Sequence, residues 1–114
     1  MKLREAVSQF ARHGAEVRRL ASATLRAYEL DLRQFAAYLE QELGVTRVAD
    51  VTAHAIEAFI ASRPQLSART LARKISTASA FFAFARKRGY IEHDPMADVS
   101  RPRTPKTEAT WVTD

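Results

Sequence analysis

The sequence contains no cysteine and little glycine or proline, and each shortage excludes a class of structure. Without cysteine there can be no disulfide, no thiolate metal site and no cysteine nucleophile. Only three glycines and four prolines occur in 114 residues, and most of the prolines fall near the C-terminus. The greater part of the chain is therefore free of helix-breaking residues, which favours an all-α domain.

Long apolar runs are also missing. No run approaches the roughly 20 residues needed to cross a bilayer, and the N-terminus has no recognisable signal peptide. Hydrophobic residues make up 46% and charged residues 27% of the chain, which is ordinary for one globular domain. We therefore expect a soluble, cytoplasmic protein with no membrane partner.

Residue patterns for catalysis or metal binding are scarce. The three histidines, His13, His54 and His93, are scattered, and none lies at a metal-ligand spacing from another. The chain has neither a glycine-rich phosphate loop nor a Gly-x-Ser-x-Gly motif. We expect no cofactor, no metal and no small-molecule substrate.

Apolar residues recur at alternating spacings of three and four in four segments, which is the pattern of a helix with one buried face. The first predicted helix runs from about Lys2 to His13 and stops at Gly14. The second begins at Ser22, a good N-cap residue, and ends at Gly44. This second segment has the most regular apolar pattern in the chain.

The third predicted helix is capped by Thr52, spans about ten residues and closes at Arg63-Pro64. The fourth starts at Ser67 and stops at Gly89, a residue suited to a left-handed backbone. A short turn through Val99 follows it, and arginine, proline, threonine and lysine then dominate. We predict a helical domain over residues 1–99 and an extended linker over residues 100–114.

The positive charge is concentrated in one part of the chain. The net charge is +5, and residues 67–106 hold nine basic but only three acidic side chains. Six cations precede the first acid of this segment, Glu92, so nothing nearby in the sequence neutralises them. The last three, Arg86 to Arg88, lie where cations complement the negative end of a helix dipole.

Helical spacing places polar and cationic residues together on the N-terminal half of the fourth helix, opposite its apolar stripe. The start of the second helix also carries hydroxyl and cationic residues. Guanidinium, ammonium and hydroxyl groups are the side chains that contact phosphates and base edges. The strip on the fourth helix consists of Arg69, Arg73, Ser76 and Thr77, with Thr70 and Lys74 beside them. An ordinary solvated face is the alternative interpretation.

A series of short motifs follows one another along nearly the whole chain. These are Ser22-x-Thr24, Tyr28-x-x-Asp31-Leu32-x-x-Phe35-x-x-Tyr38-Leu39, Ala49-Asp50-Val51-Thr52, Ser67-x-x-Thr70-x-x-Arg73, Phe81-Phe82-x-Phe84-Ala85, Gly89-Tyr90-Ile91, Asp94-Pro95, Arg101-Pro102 and Pro105-Lys106. Their order and spacing resemble the N-terminal core-binding domain of tyrosine recombinases, as in phage integrases and Xer-type recombinases.

This resemblance implies a four-helix, SAM-like domain that forms one half of a clamp around a DNA recombination or integration site. Helices two and four would face duplex DNA, and further recombinase protomers would be partners on it. Three sets of residues would be near DNA: Ser22, Thr24 and Arg26 on helix two; Ser67, Arg69, Thr70, Arg73, Lys74 and Thr77 on helix four; and Arg101, Arg103 and Lys106 in the linker.

The chain departs from the family in its catalytic residues. Tyrosine recombinases use an arginine, a His-x-x-Arg motif and a nucleophilic tyrosine in a second domain. The residues three after the histidines are Glu16, Glu57 and Met96, so no histidine here matches. We expect a domain that is not itself an enzyme, either excised or truncated from a parent recombinase.

Two other functions remain open at this point. A helical protein-interaction module could dock through an exposed edge formed by Phe81 and Phe84. A free-standing helix-turn-helix regulator could use residues 63–66 as its turn, since that motif needs two helices joined by a turn of about four residues.

Overall fold

The computed structural model describes residues 1–99, which form four α-helices and two short 3-10 turns. The predicted all-α fold is confirmed for this part of the chain, and the predicted linker, with Arg101, Arg103 and Lys106, lies outside it. The elements are α1 (Leu3–Glu16), α2 (Ser22–Leu43), a turn at Val48–Asp50, α3 (Ala53–Ala61), α4 (Ala68–Lys87) and a turn at Pro95–Asp98.

Two of the predicted helix caps are present and the third, at the start of α2, is absent. The hydroxyl oxygens of Thr52 and Ser67 each accept a hydrogen bond of 3.1 Å from a backbone N–H three residues later, which begins α3 and α4. Ser22 does not cap α2, because Ala21 occupies the N-cap position and Ser22 is the first helical residue.

The prediction that α1 stops at Gly14 is wrong. The helix continues to Glu16, and Gly14 is buried inside it. A Cβ atom on Gly14 would lie 2.8 Å from the Leu25 Cδ2 atom of α2, so the glycine allows the two helices to pack closely. Gly44 and Gly89 do follow the expected rule, with φ of 68° and 77° at the ends of α2 and α4.

The core is built around aromatic rings contributed by every helix. The ring centroids of Phe81 and Phe82 are 5.0 Å apart, and Phe35 packs edge-on against Phe59 at 5.3 Å. The expectation of an exposed edge on α4 is wrong, since Phe81 and Phe84 are only 0% and 8% exposed. Phe10 of α1 packs against both of them. The interaction-module alternative therefore loses its proposed surface.

The central element is α2, which packs against the other three helices. The Tyr38 hydroxyl donates to the Ala58 carbonyl at 3.2 Å and ties α2 to α3. The start of the chain is fixed to the loop after α2, where the Leu3 N–H donates to the Thr46 carbonyl at 2.8 Å. Among residues 1–99, no helix is both long enough and apolar enough to cross a membrane.

Candidate nucleic-acid interface

The N-terminal half of α4 presents a polar, positively charged face. Arg69, Arg73 and Ser76 are all exposed, and their spacing of four and then three residues places them on one side of the helix. Ala72, between them, is also exposed and leaves the backbone accessible. No aspartate or glutamate occurs anywhere in α4, so the helix itself offers no carboxylate to neutralise these arginines.

The hydroxyls at the beginning of α4 are bonded to each other. Ser67 accepts from the Thr70 backbone N–H at 3.1 Å, and its own hydroxyl donates to Thr70 Oγ1 at 3.0 Å. Ser67 is exposed and Thr70 is half-buried. Both hydroxyls therefore help to close the helix end and lie beside Arg69, as the spacing predicts.

Thr77 does not lie on the exposed strip, contrary to the prediction. Thr77 is 2% exposed. Its hydroxyl donates to the Arg73 carbonyl at 3.1 Å and lies 3.5 Å from Asp31 Oδ2. The reason is that α2 packs against this flank of α4 and covers it. Ser76, one position earlier, is the hydroxyl residue that stays exposed.

Lys74 also turns inward rather than toward solvent. Its Nζ atom donates to Asp31 Oδ1 and to Gln34 Oε1, both at 2.8 Å, and its side chain is only 11% exposed. No acid near these cations in sequence neutralises them, but a carboxylate from α2 reaches two of them, Arg73 and Lys74, in the folded chain. The pair joins residues 43 positions apart in sequence.

Arg73 contacts the buried carboxylate and also faces solvent. One guanidinium nitrogen, NH2, lies 3.2 Å from Asp31 Oδ1, yet the side chain as a whole is 53% exposed. A guanidinium has five N–H donors in a planar fork. Arg73 can therefore hold the α2 carboxylate and still offer donors to a ligand in solution.

The start of α2 supplies the other predicted residues. Ser22 and Arg26 are exposed and Thr24 is half-buried. Thr24 precedes Asp31 by seven residues, or two helical turns, so it lies on the flank of α2 that faces α4. Arg26 precedes Asp31 by five residues and lies about 140° around the helix from it. Thr24 thus shares the flank of α2 that carries Asp31, whereas Arg26 lies on a different, exposed side of the helix.

The cations at the C-terminal end of α4 have local partners. Arg88 stacks over the Phe84 ring at 4.9 Å and its NH2 lies 3.2 Å from His13 Nδ1. The Arg86 Nε donates to the Glu92 carbonyl at 3.4 Å. These contacts tie Arg86 to the turn after α4 and Arg88 to α1, while Arg86, Lys87 and Arg88 all remain exposed. The candidate strip is the N-terminal half of the helix, where Arg69 and Arg73 share one face.

Comparison with known proteins places this arrangement in a family. A sequence profile described as the phage integrase N-terminal SAM-like domain matches residues 7–89. The chain belongs to this family. The resemblance inferred from the motif order is therefore confirmed, and family membership favours a recombinase-type domain over a free-standing helix-turn-helix regulator.

Relatives of this SAM-like domain are named tyrosine recombinases. It is 36% identical over 85 residues to the tyrosine recombinase XerC of Oceanobacillus iheyensis, covering 73% of this chain and 28% of that protein. It is 35% identical over 88 residues to the XerD of Listeria monocytogenes, covering 75% and 30%. The chain thus spans less than a third of the length of either relative.

A solved structure shares the fold. The integrase from mycobacterium phage Brujita superposes with a TM-score of 0.74 at 23% sequence identity, over 87% of this chain and 32% of the integrase. This likeness confirms the four-helix, SAM-like architecture.

Sequence reasoning did not identify Asp31 as part of the candidate interface. It interrupts the apolar pattern of α2 between Tyr28 and Leu32, and it is 4% exposed. A carboxylate on the edge of a buried stripe needs hydrogen-bond donors, which is the signal that could have identified it. Its donors come from α4, and the sequence alone does not identify them.

Proposed function

We propose that this SAM-like domain binds duplex DNA as the gripping part of a site-specific tyrosine recombinase or integrase. The contacts come from the exposed face of α4 and the beginning of α2. The observation that carries the proposal is the acid-free face of α4, where two exposed arginines flank an exposed alanine. The proposed contact residues are Ser67, Arg69, Thr70, Arg73 and Ser76 on α4, with Ser22, Thr24 and Arg26 on α2.

The shape of α4 supports this assignment. A helix with its side chains is about 10–12 Å across, and the major groove of B-DNA is about 12 Å wide. The small side chains of Ala68 and Ala72 are exposed beside the arginines, so the helix backbone can approach the duplex closely. Arg69 and Arg73, one turn apart, then supply guanidinium groups for phosphates or guanine edges.

The family assignment supports the wider role. The relatives are named tyrosine recombinases, and this chain corresponds to less than a third of each. In our proposal the domain contributes DNA affinity and orientation in the cytoplasm, while the remainder of such a protein carries out strand cleavage. Its partners are double-stranded DNA and the other recombinase protomers assembled on it.

A titration of a fluorescent duplex with the 114-residue chain tests the proposal. Binding through phosphates releases counterions, so affinity should fall with salt at a logarithmic slope of about −0.9 per phosphate contacted. Arg69→Glu should weaken binding by at least about tenfold, because it removes a contact and introduces repulsion.

The matched control is Arg47→Glu, which makes the same charge change at an exposed residue in the loop after α2. It should cost much less affinity, since only the overall charge of the domain changes. The proposal fails if the chain does not bind DNA at low salt, if binding ignores salt, or if both variants weaken binding equally.

A further inference from the structure

One carboxylate lies beneath the cationic face of α4. Asp31 is 4% exposed and accepts hydrogen bonds from two cations through the same oxygen, Oδ1. Lys74 Nζ is at 2.8 Å and the NH2 of Arg73 at 3.2 Å. Burying a charge is costly unless it is paired and hydrogen-bonded, so Asp31 depends on these partners.

Lys74 and Arg73 differ in how many of their N–H donors remain available to a ligand. Lys74 is 11% exposed, and Gln34 provides a second acceptor for its ammonium group at 2.8 Å. Arg73 is 53% exposed and uses one of its five N–H donors on the carboxylate. The Lys74 ammonium group is thus buried with both of its acceptors. The Arg73 guanidinium group contacts the carboxylate through one nitrogen and is otherwise exposed to solvent.

We propose that Asp31 is a positioning residue for DNA binding. It anchors the Arg73 guanidinium at the edge between α2 and α4, and Lys74 serves as its internal counter-ion instead of as a DNA ligand. This inference rests on the proposed DNA-binding function. The physical reason is that a long arginine side chain loses much rotamer freedom on binding, and an anchored one has already lost part of it.

Electrostatics alone makes the opposite prediction. A carboxylate close to the binding face repels phosphates, so its removal should strengthen binding to DNA. A positioning residue does the reverse, because its loss frees Arg73. Electrostatics alone therefore predicts tighter binding when Asp31 is removed by itself and unchanged binding when its counter-ion is removed with it, whereas positioning predicts weaker binding in both cases.

The decisive variant is Asp31→Asn combined with Lys74→Gln. It removes the buried carboxylate and its counter-ion together, so the net charge of the chain is unchanged and no buried charge is left unpaired. We expect the helical circular-dichroism signal to persist and DNA affinity at fixed salt to fall roughly three- to tenfold, as for the loss of one pre-ordered side chain.

Lys74→Gln alone is the second variant. Asp31 still has Arg73 as a partner in this variant, so binding should stay within about twofold of the unaltered chain, with the same salt slope. A tenfold loss, or a slope shallower by about 0.9, would make Lys74 a phosphate ligand and overturn the inference. This variant tests the role given to Lys74 even if the double variant does not fold.

A third comparison separates positioning from a general structural effect. In an Arg73→Gln background, the Asp31→Asn and Lys74→Gln changes should cause no further loss of affinity, because the group they position is gone. An equal further loss in that background would overturn the inference, as would a double variant that binds like the unaltered chain or more tightly.

The two proposals fail in different ways. If the unaltered chain does not bind DNA, the proposed function itself is wrong. If it binds and Arg69→Glu weakens binding while the double variant does not, only the role of Asp31 is wrong.

Discussion

Replacing Thr77 with valine tests whether the flank of α4 that faces α2 takes part in binding. Valine keeps the branched shape of threonine and removes the hydroxyl. In the structure that hydroxyl donates to the Arg73 carbonyl at 3.1 Å and lies 3.5 Å from Asp31 Oδ2, in a residue that is 2% exposed. We expect DNA affinity to change by less than about twofold, because nothing on the exposed face of α4 is altered.

The effect on stability should also be small. Losing one intramolecular hydrogen bond costs about 0.5–1.5 kcal/mol. Asp31 keeps Lys74 and Arg73 as donors, so no buried charge is left without a partner. The additional buried methyl group contributes about 0.8 kcal/mol in the opposite direction. The free energy of unfolding should therefore change by less than about 1 kcal/mol.

Urea unfolding followed by circular dichroism measures the stability, and titration of a duplex at fixed salt measures the binding. Ser76→Val is the matched comparison, since it removes a hydroxyl from the adjacent, exposed residue. It should weaken DNA binding several-fold with little effect on stability. A tenfold loss of affinity in Thr77→Val, with its helical signal intact, would refute the conclusion that binding is confined to the exposed face.

Three further substitutions test the fold. Phe82→Ala removes a side chain that is 0% exposed and should lower the free energy of unfolding by about 3–5 kcal/mol, measured by the urea midpoint; a midpoint near that of the unaltered chain would contradict this packing. Ser67→Ala removes the cap of α4 and should cost about 1 kcal/mol in thermal unfolding, whereas no change would mean that the cap is dispensable. Gly89→Ala should lower the free energy of unfolding by about 1 kcal/mol, because φ is 77° and alanine is strained there. No atom lies within 4 Å of the new Cβ, so a much larger loss of stability would indicate a steric clash instead.

Helix caps and helix ends that depend only on residues close in sequence are predictable from the sequence. The caps at Thr52 and Ser67 were predicted from residue type and position, because a cap is a contact between residues three apart. The left-handed end of α2 at Gly44 is local in the same way. Gly14 was misjudged because its role depends on Leu25 of another helix.

The candidate site was predictable in composition but less so in detail. Helical periodicity turns each residue about 100° from the next, so it locates the cationic side of α4 to within about one position. That limit explains why the spacing places both Ser76 and Thr77 on the strip, although only Ser76 is exposed. Which of two adjacent hydroxyl residues faces inward depends on where α2 packs, and this is a tertiary contact.

Four features are predictable from the order of residues: the number of helices, their approximate bounds, the concentration of positive charge in α4 and, through the motifs, the family. These follow from local chemistry and spacing along the chain. Which cations are available depends on helix packing, because the carboxylate of Asp31 is 43 residues from Lys74 in the sequence and meets it only once α2 and α4 are packed. That packing pairs Lys74 in the interior and leaves Arg69 and the outer part of Arg73 exposed.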